Sequence, residues 1–125
     1  MNSELMKKFS PAVLRIGLSV VILWFGMSQI KSPGEWIGFL PSWISSTGIS
    51  ATNFIYMNAG FEIFFGVLLL LGLYVRVSAL LLSLHLFGIV FSLGYNAIAV
   101  RDFGLAVATF AVFLNGKDFL CLKRK

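Results

Sequence analysis

The chain has 125 residues, 58% of them hydrophobic and only 12% charged, and its mean hydropathy is +0.92. A soluble domain of this size has too high a surface-to-volume ratio to bury so much apolar surface, so lipid must be the solvent for most of it. The formal charge of +5 invites a nucleic-acid partner, but the basic residues gather at the ends of apolar runs and exclude that class.

A spanning helix needs about 20 predominantly apolar residues. The first run, residues 11–30, follows Lys7 and Lys8 and so resembles a secretory signal. Arg15 interrupts it and no small-residue cleavage site follows Ile30, so a retained helix is the better reading. Arg15 lies about 6 Å from the start of its span by helical rise. It reads either as a topology anchor snorkelling to headgroups or as a ligand-binding residue. Gln29 ends the run.

Residues 31–53 form the one long connection. Trp36, Phe39, Leu40, Trp43 and Ile44 fall at i, i+3, i+4, i+7 and i+8, an amphipathic helical stripe. Pro41 interrupts it, which predicts two short turns rather than one helix. The segment reads as interfacial, with tryptophans at headgroup level, and also as a lid over the outer mouth of the bundle.

The second run, residues 54–74, carries Glu62 in its middle. A carboxylate at that depth is costly unless it is paired, hydrated or protonated, and is by default a functional hypothesis. Asn58 stands one turn away on the same face. A tight break at residues 72–76 leads into the third run, residues 76–94, and forces the two helices to be antiparallel neighbours. Glu62 lies about 12 Å, and His85 about 13–14 Å, from the outer ends of their spans. The two therefore reach one level and can accept and pass a proton. Arg101 and Asp102 open the shorter fourth run, residues 100–116, where Arg101 is placed to reach Glu62 as an ion-pair partner. Gly88 with Ser92 and Gly104 with Ala108 give small-xxx-small spacings.

The expected architecture is all-α: an integral membrane four-helix bundle forming a single domain over residues 1–125, with a short interfacial segment between helices 1 and 2. Four spans put both termini on one side. Of the ten basic residues, Lys7, Lys8, Arg15, Arg76, Lys117, Lys123, Arg124 and Lys125 then share that side, against Lys31 and Arg101. This bias predicts a multi-pass protein of the cell (inner) membrane with cytoplasmic termini. Cys121 is the sole cysteine and His85 the sole histidine, so neither a dithiol reaction nor a metal or haem site with two protein ligands is expected.

Phe61, Phe64 and Phe65 flank Glu62, and Phe87 and Phe91 lie near His85. Such a lining suits a flat apolar molecule such as a quinone, its oxygens bonded by Glu62 and His85; phenylalanine that merely packs is the plainer alternative. Leu14-Arg15-Ile16-Gly17-Leu18, Gly26 and Lys31, Gly60-Phe61-Glu62, Gly66, Leu70-Leu71-Gly72-Leu73, Arg76 and Arg101-Asp102-Phe103, in this order and spacing, resemble the DoxX family of small four-helix membrane proteins over nearly the whole chain. The resemblance implies similarity to the small membrane subunit of a thiosulfate:quinone oxidoreductase and a link with thiol and oxidative stress. It singles out Arg15, Glu62, Arg101 and Asp102.

The resulting expectation is a redox-associated, quinone- or thiol-linked membrane subunit with no covalently bound cofactor and no metal. Glu62 and His85 would be the catalytic pair, and Arg15, Asn58, Arg101 and Asp102 would bind the ligand. A partner membrane or redox protein would carry the electrons. The alternatives are a structural accessory subunit of a larger complex and a small proton-coupled transporter.

Overall fold

The computed structural model describes residues 2–40, 42–93 and 97–121. Four α-helices carry the fold: α1 (Ser3–Lys31), α2 (Ala51–Leu71), α3 (Val75–Leu93) and α4 (Ala97–Asn115). Among the described residues there is no strand, as expected where backbone groups must be satisfied without water.

Local chemistry sets the ends. Asn2 Oδ1 accepts from the Leu5 N–H at 2.8 Å, and Ser50 Oγ accepts from the Asn53 N–H at 3.2 Å, capping α1 and α2. These caps start both helices earlier than the apolar runs do, at Ser3 rather than residue 11 and at Ala51 rather than residue 54. Pro11 is carried inside α1. Gly72 ends α2 in the left-handed region (φ 80°). The Leu73 N–H donates to Leu68 O and the Gly72 N–H to Leu69 O, a Schellman closure that satisfies two terminal carbonyls. The turn to α3 is therefore three residues long.

The helices pack in a closed ring, α1 on α2, α2 on α3, α3 on α4 and α4 on α1, with the last seam the thinnest. On α1 and α2 the close approach is made by glycines. A Cβ on Gly26 would stand 2.6 Å from Ile63 Cγ1, and one on Gly66 would stand 3.0 Å from Leu23 Cδ2. The expected small-residue pair on α3 and the one on α4 do not serve this purpose: a Cβ on Gly88 or Gly104 would meet nothing within 4 Å. Leu18, Ile22, Leu69, Val75, Ala79, Leu82 and Val112 form the buried core.

Around that core the surface is apolar on every helix. Val13, Trp24, Phe64, Leu84, Phe91, Phe103 and Leu114 are all more than half exposed. Contiguous apolar surface on this scale marks a lipid-facing exterior. Among the described residues α1 and α2 are long and apolar enough to cross a bilayer, and Val75–Phe91 adds a shorter apolar stretch in α3.

The α1–α2 connection forms short 3-10 turns at Pro33–Glu35, Ile37–Phe39 and Ser42–Thr47. The interruption at Pro41 was expected, but Pro41 itself and the Phe39 side chain lie outside the described set.

Candidate functional site

A cavity of about 350 Å³ opens between the helices at the end of the bundle opposite the chain termini. Four elements supply its polar groups. α1 brings Gln29, α2 brings Asn58 and Glu62, α3 brings His85, and α4 brings Arg101 and Asp102. Trp36, Leu40 and Trp43 of the connecting segment line the same space, with Phe25 and Phe54 from α1 and α2. The amphipathic stripe thus turns part of its apolar face into the cavity, and Trp36 packs edge-on against Phe25 at 5.9 Å.

Glu62 is only 4% exposed and is held by neutral amides. Gln29 Nε2 donates to Glu62 Oε1 at 2.8 Å, and Asn58 Nδ2 donates to Gln29 Oε1 at 2.7 Å and, more weakly, to Glu62 Oε2 at 3.4 Å. Gln29 Nε2 also donates to the Phe25 carbonyl one turn below. The amides therefore orient this carboxyl group and supply no counter-charge. His85 Nε2 stands 3.4 Å from Glu62 Oε2, at the long end of hydrogen-bond geometry. Among the described residues that buried nitrogen has no hydrogen-bond partner, while its ring stacks on Phe61 at 4.6 Å and 27°. Such an orphaned polar atom beside a cavity asks for an explanation.

Arg101 does not reach Glu62. Its Nη2 lies 3.1 Å from Asp102 Oδ1, and its guanidinium lies 4.7 Å over the Phe25 ring. Two geometric facts explain this: the carboxylate one residue along is nearer, and the aromatic face holds the planar cation. Arg101 remains 45% exposed at the cavity's edge, whereas Asp102 is buried.

Arg15 lies elsewhere. It is about 21 Å along α1 from Gln29 by helical rise, lines no part of this cavity, and does not snorkel, being 1% exposed. Its Nε and Nη2 donate to the two Asp118 carboxylate oxygens at 2.7 and 3.2 Å, while Nη1 donates to the Leu69 and Leu70 carbonyls at 2.8 Å each. One guanidinium thus caps the C-terminus of α2, where partial negative charge collects, and clamps the segment after α4. Burial alone would raise the Asp118 carboxyl. The hydrogen bonds from Arg15 and from the Leu120 N–H, with the Arg15 charge, outweigh it and hold the group below the usual carboxylate range.

Sequence reasoning assigned no role to two residues that the structure makes central. Gln29 gave a weaker signal than Glu62, a neutral polar group at the end of an apolar run rather than a carboxyl in its middle. Asp118 was signalled by Arg15, since a cation in an apolar span requires a counterion. Among the described residues no group of three His, Cys, Asp or Glu side chains could hold a metal ion.

Fold and site together define a small helical membrane protein that surrounds a buried, amide-held carboxylate at one end of its bundle. The DoxX family model matches residues 10–95, and the chain belongs to the DoxX family. That match takes in Arg15, Gln29, Asn58, Glu62 and His85 and stops before α4, so Arg101 and Asp102 lie outside it. No curated protein and no solved structure matches the chain.

Proposed function

We propose that this protein is the membrane subunit of a quinone-linked redox system, with the Glu62 cavity receiving the quinone headgroup. The observation that carries this reading is the buried, unpartnered Nε2 of His85 beside Glu62 in a cavity walled by aromatic rings. The volume, about 350 Å³, is that of a small-molecule site. A flat ring between Phe25, Phe54 and the tryptophans would present an oxygen to Nε2. The quinone would supply a two-electron, two-proton couple, and a partner protein would supply the electrons.

The chain's own residues hold and move protons. His85 would donate one proton from Nε2 to a ligand oxygen and be recharged at that nitrogen from a protonated Glu62 carboxyl; the second proton of the couple, and the one that restores Glu62, would enter with water through the cavity mouth. Gln29 and Asn58 keep that carboxyl oriented toward the imidazole through both steps. Arg101, exposed and anchored on Phe25, stands at the edge of the cavity as a cation for an anionic form of the ligand. The basic residues gathered at the opposite end support a multi-pass topology with both termini cytoplasmic in the cell membrane, placing the cavity toward the outer face. The whole chain, residues 1–125, then acts as a single transmembrane domain.

Trp36 and Trp43 line the cavity and report on it directly. Titration of the detergent-solubilised protein with decylubiquinone should quench tryptophan fluorescence saturably. Glu62→Gln and His85→Ala should each weaken the apparent Kd about tenfold, the loss of one charge-assisted hydrogen bond. Non-saturable quenching, or unchanged affinity in both variants at native helicity, would remove the quinone from the proposal. Co-purification of a transporter substrate or of a stable complex indifferent to Glu62 would favour transport or a structural role instead.

A further inference from the structure

We propose a second binding site, for an anionic phospholipid, in the seam between α1 and α4 at the end of the bundle that carries the termini. This seam is the thinnest of the four helix contacts. It contains a cavity of about 210 Å³ lined by Ser10, Pro11 and Leu14 of α1 and by Ala111, Val112 and Asn115 with Gly116 at the end of α4. The polar groups, Ser10 and Asn115, stand toward the termini, and the apolar ones lie deeper. That is the polarity of a lipid at the level of its headgroup and glycerol.

Charge favours an anion at the polar end. Lys7 precedes Ser10 and Pro11 by three and four residues and so shares their helix face. Lys117 follows Gly116, and the Arg76 guanidinium lies against Gly116: a Cβ there would meet Arg76 Nε at 2.8 Å and Nη2 at 3.0 Å. Asp118, the nearest acid in sequence, is already held by Arg15 on both oxygens. Glu4, the other acid at this end, lies one turn before Lys7 and Lys8 on α1.

The seam also has room for a hydrocarbon chain. Gly17 is three residues beyond Leu14, and Gly104 is seven residues before Ala111, so both continue the same helix faces. A Cβ at either position would meet nothing within 4 Å. Two glycines in helices that gain nothing from close packing at those points leave a furrow leading away from the headgroup, as one acyl chain requires. Cationic side chains near a membrane surface recruit anionic lipids at about fivefold in affinity per lysine. A phospholipid of the leaflet facing the termini is therefore the occupant.

The test is native mass spectrometry of the protein released from mixed micelles of palmitoyl-oleoyl phosphatidylglycerol and the phosphatidylcholine of the same chains. One phosphatidylglycerol should be retained in preference to phosphatidylcholine. Lys7→Gln with Lys117→Gln should lower that preference about 25-fold. Gly17→Phe, which fills the furrow at an open position, should lower retention with the lysines intact. Lys31→Gln, at the other end, should change nothing. Equal retention of the two lipids, an unaltered preference in the double lysine variant, or an equal loss in Lys31→Gln would overturn the site. So would displacement of the lipid by inorganic phosphate alone, which would show that the acyl chain contributes nothing.

Discussion

Replacing Arg15 by Met tests the strongest structural claim made by the fold. The substitution keeps an unbranched side chain of similar length and removes every donor. Four hydrogen bonds are lost: two to Asp118, at 2.7 and 3.2 Å, and one each to the Leu69 and Leu70 carbonyls at 2.8 Å. Asp118, 2% exposed in its side chain, is left without its cation. Breaking a buried ion pair from one side costs about 3–5 kcal/mol, and the loss of the Leu70 carbonyl's donor puts Arg15→Met at the upper end of that range, while Leu69 O keeps the Gly72 N–H. Asp118→Asn should cost less, about 2 kcal/mol, because Arg15 keeps its two carbonyl acceptors. Arg15→Met combined with Asp118→Leu should cost less than the sum by at least about 1.5 kcal/mol. The assay is reversible unfolding in mixed micelles with increasing dodecyl sulfate, followed by circular dichroism. If Arg15→Met proves no worse than Lys31→Met, or the double variant is additive, the guanidinium is a solvated anchor and the clamp is not a unit.

Acid should release the same clamp. The folded carboxyl of Asp118 lies below its ordinary value near 3.8. Its contribution is therefore fully present above that value and is lost as pH falls through the depressed folded one. Wild-type stability measured from pH 7 downward should fall below about pH 4, and Asp118→Asn should flatten that limb. At the other end of α1, Gly26→Leu should cost about 2–3 kcal/mol by overpacking, because a Cβ would stand 2.6 Å from Ile63 Cγ1 and 3.3 Å from the Ala59 carbonyl. Adding Ile63→Ala should restore more than half of it in the same unfolding assay. Equal stability of the two variants would mean that the carbonyl, not the side chain, sets the limit.

Helices were legible because apolar length and the need to satisfy every backbone group leave few alternatives in lipid. The meeting of Glu62 with His85 was legible from rise alone, since a three-residue turn fixes the offset between α2 and α3. Partner choice was not. Arg101 was expected to reach Glu62 from the outer end of its run, yet a neighbouring carboxylate and the Phe25 ring, on a helix 76 residues earlier in sequence, took it. Arg15 was misread for a related reason. Snorkelling is the default for a lone cation near a span end, and only the fold shows that Asp118 and the end of α2 come back to cover it. Depth follows from counting residues, whereas partners depend on which faces turn toward one another.

The two polar centres also constrain each other through α1 and α2. Gln29 holds Glu62 at one end of this pair and Arg15 holds the Leu69 and Leu70 carbonyls at the other, with Gly26 and Gly66 pressed against the partner helix between them. Each step up α1 is matched by a step down α2, so a slip of either helix would break both attachments together. The rigid half of the bundle is therefore α1 with α2, and it carries the carboxylate and its amide donors. α3 and α4, joined more closely to each other than to that half, bring the imidazole and the guanidinium. A cavity with Glu62 on one helical pair and His85 on the other can change their 3.4 Å separation by a small shift between the pairs. The orphaned imidazole nitrogen lies on that dividing line, facing the carboxyl of Glu62 across it.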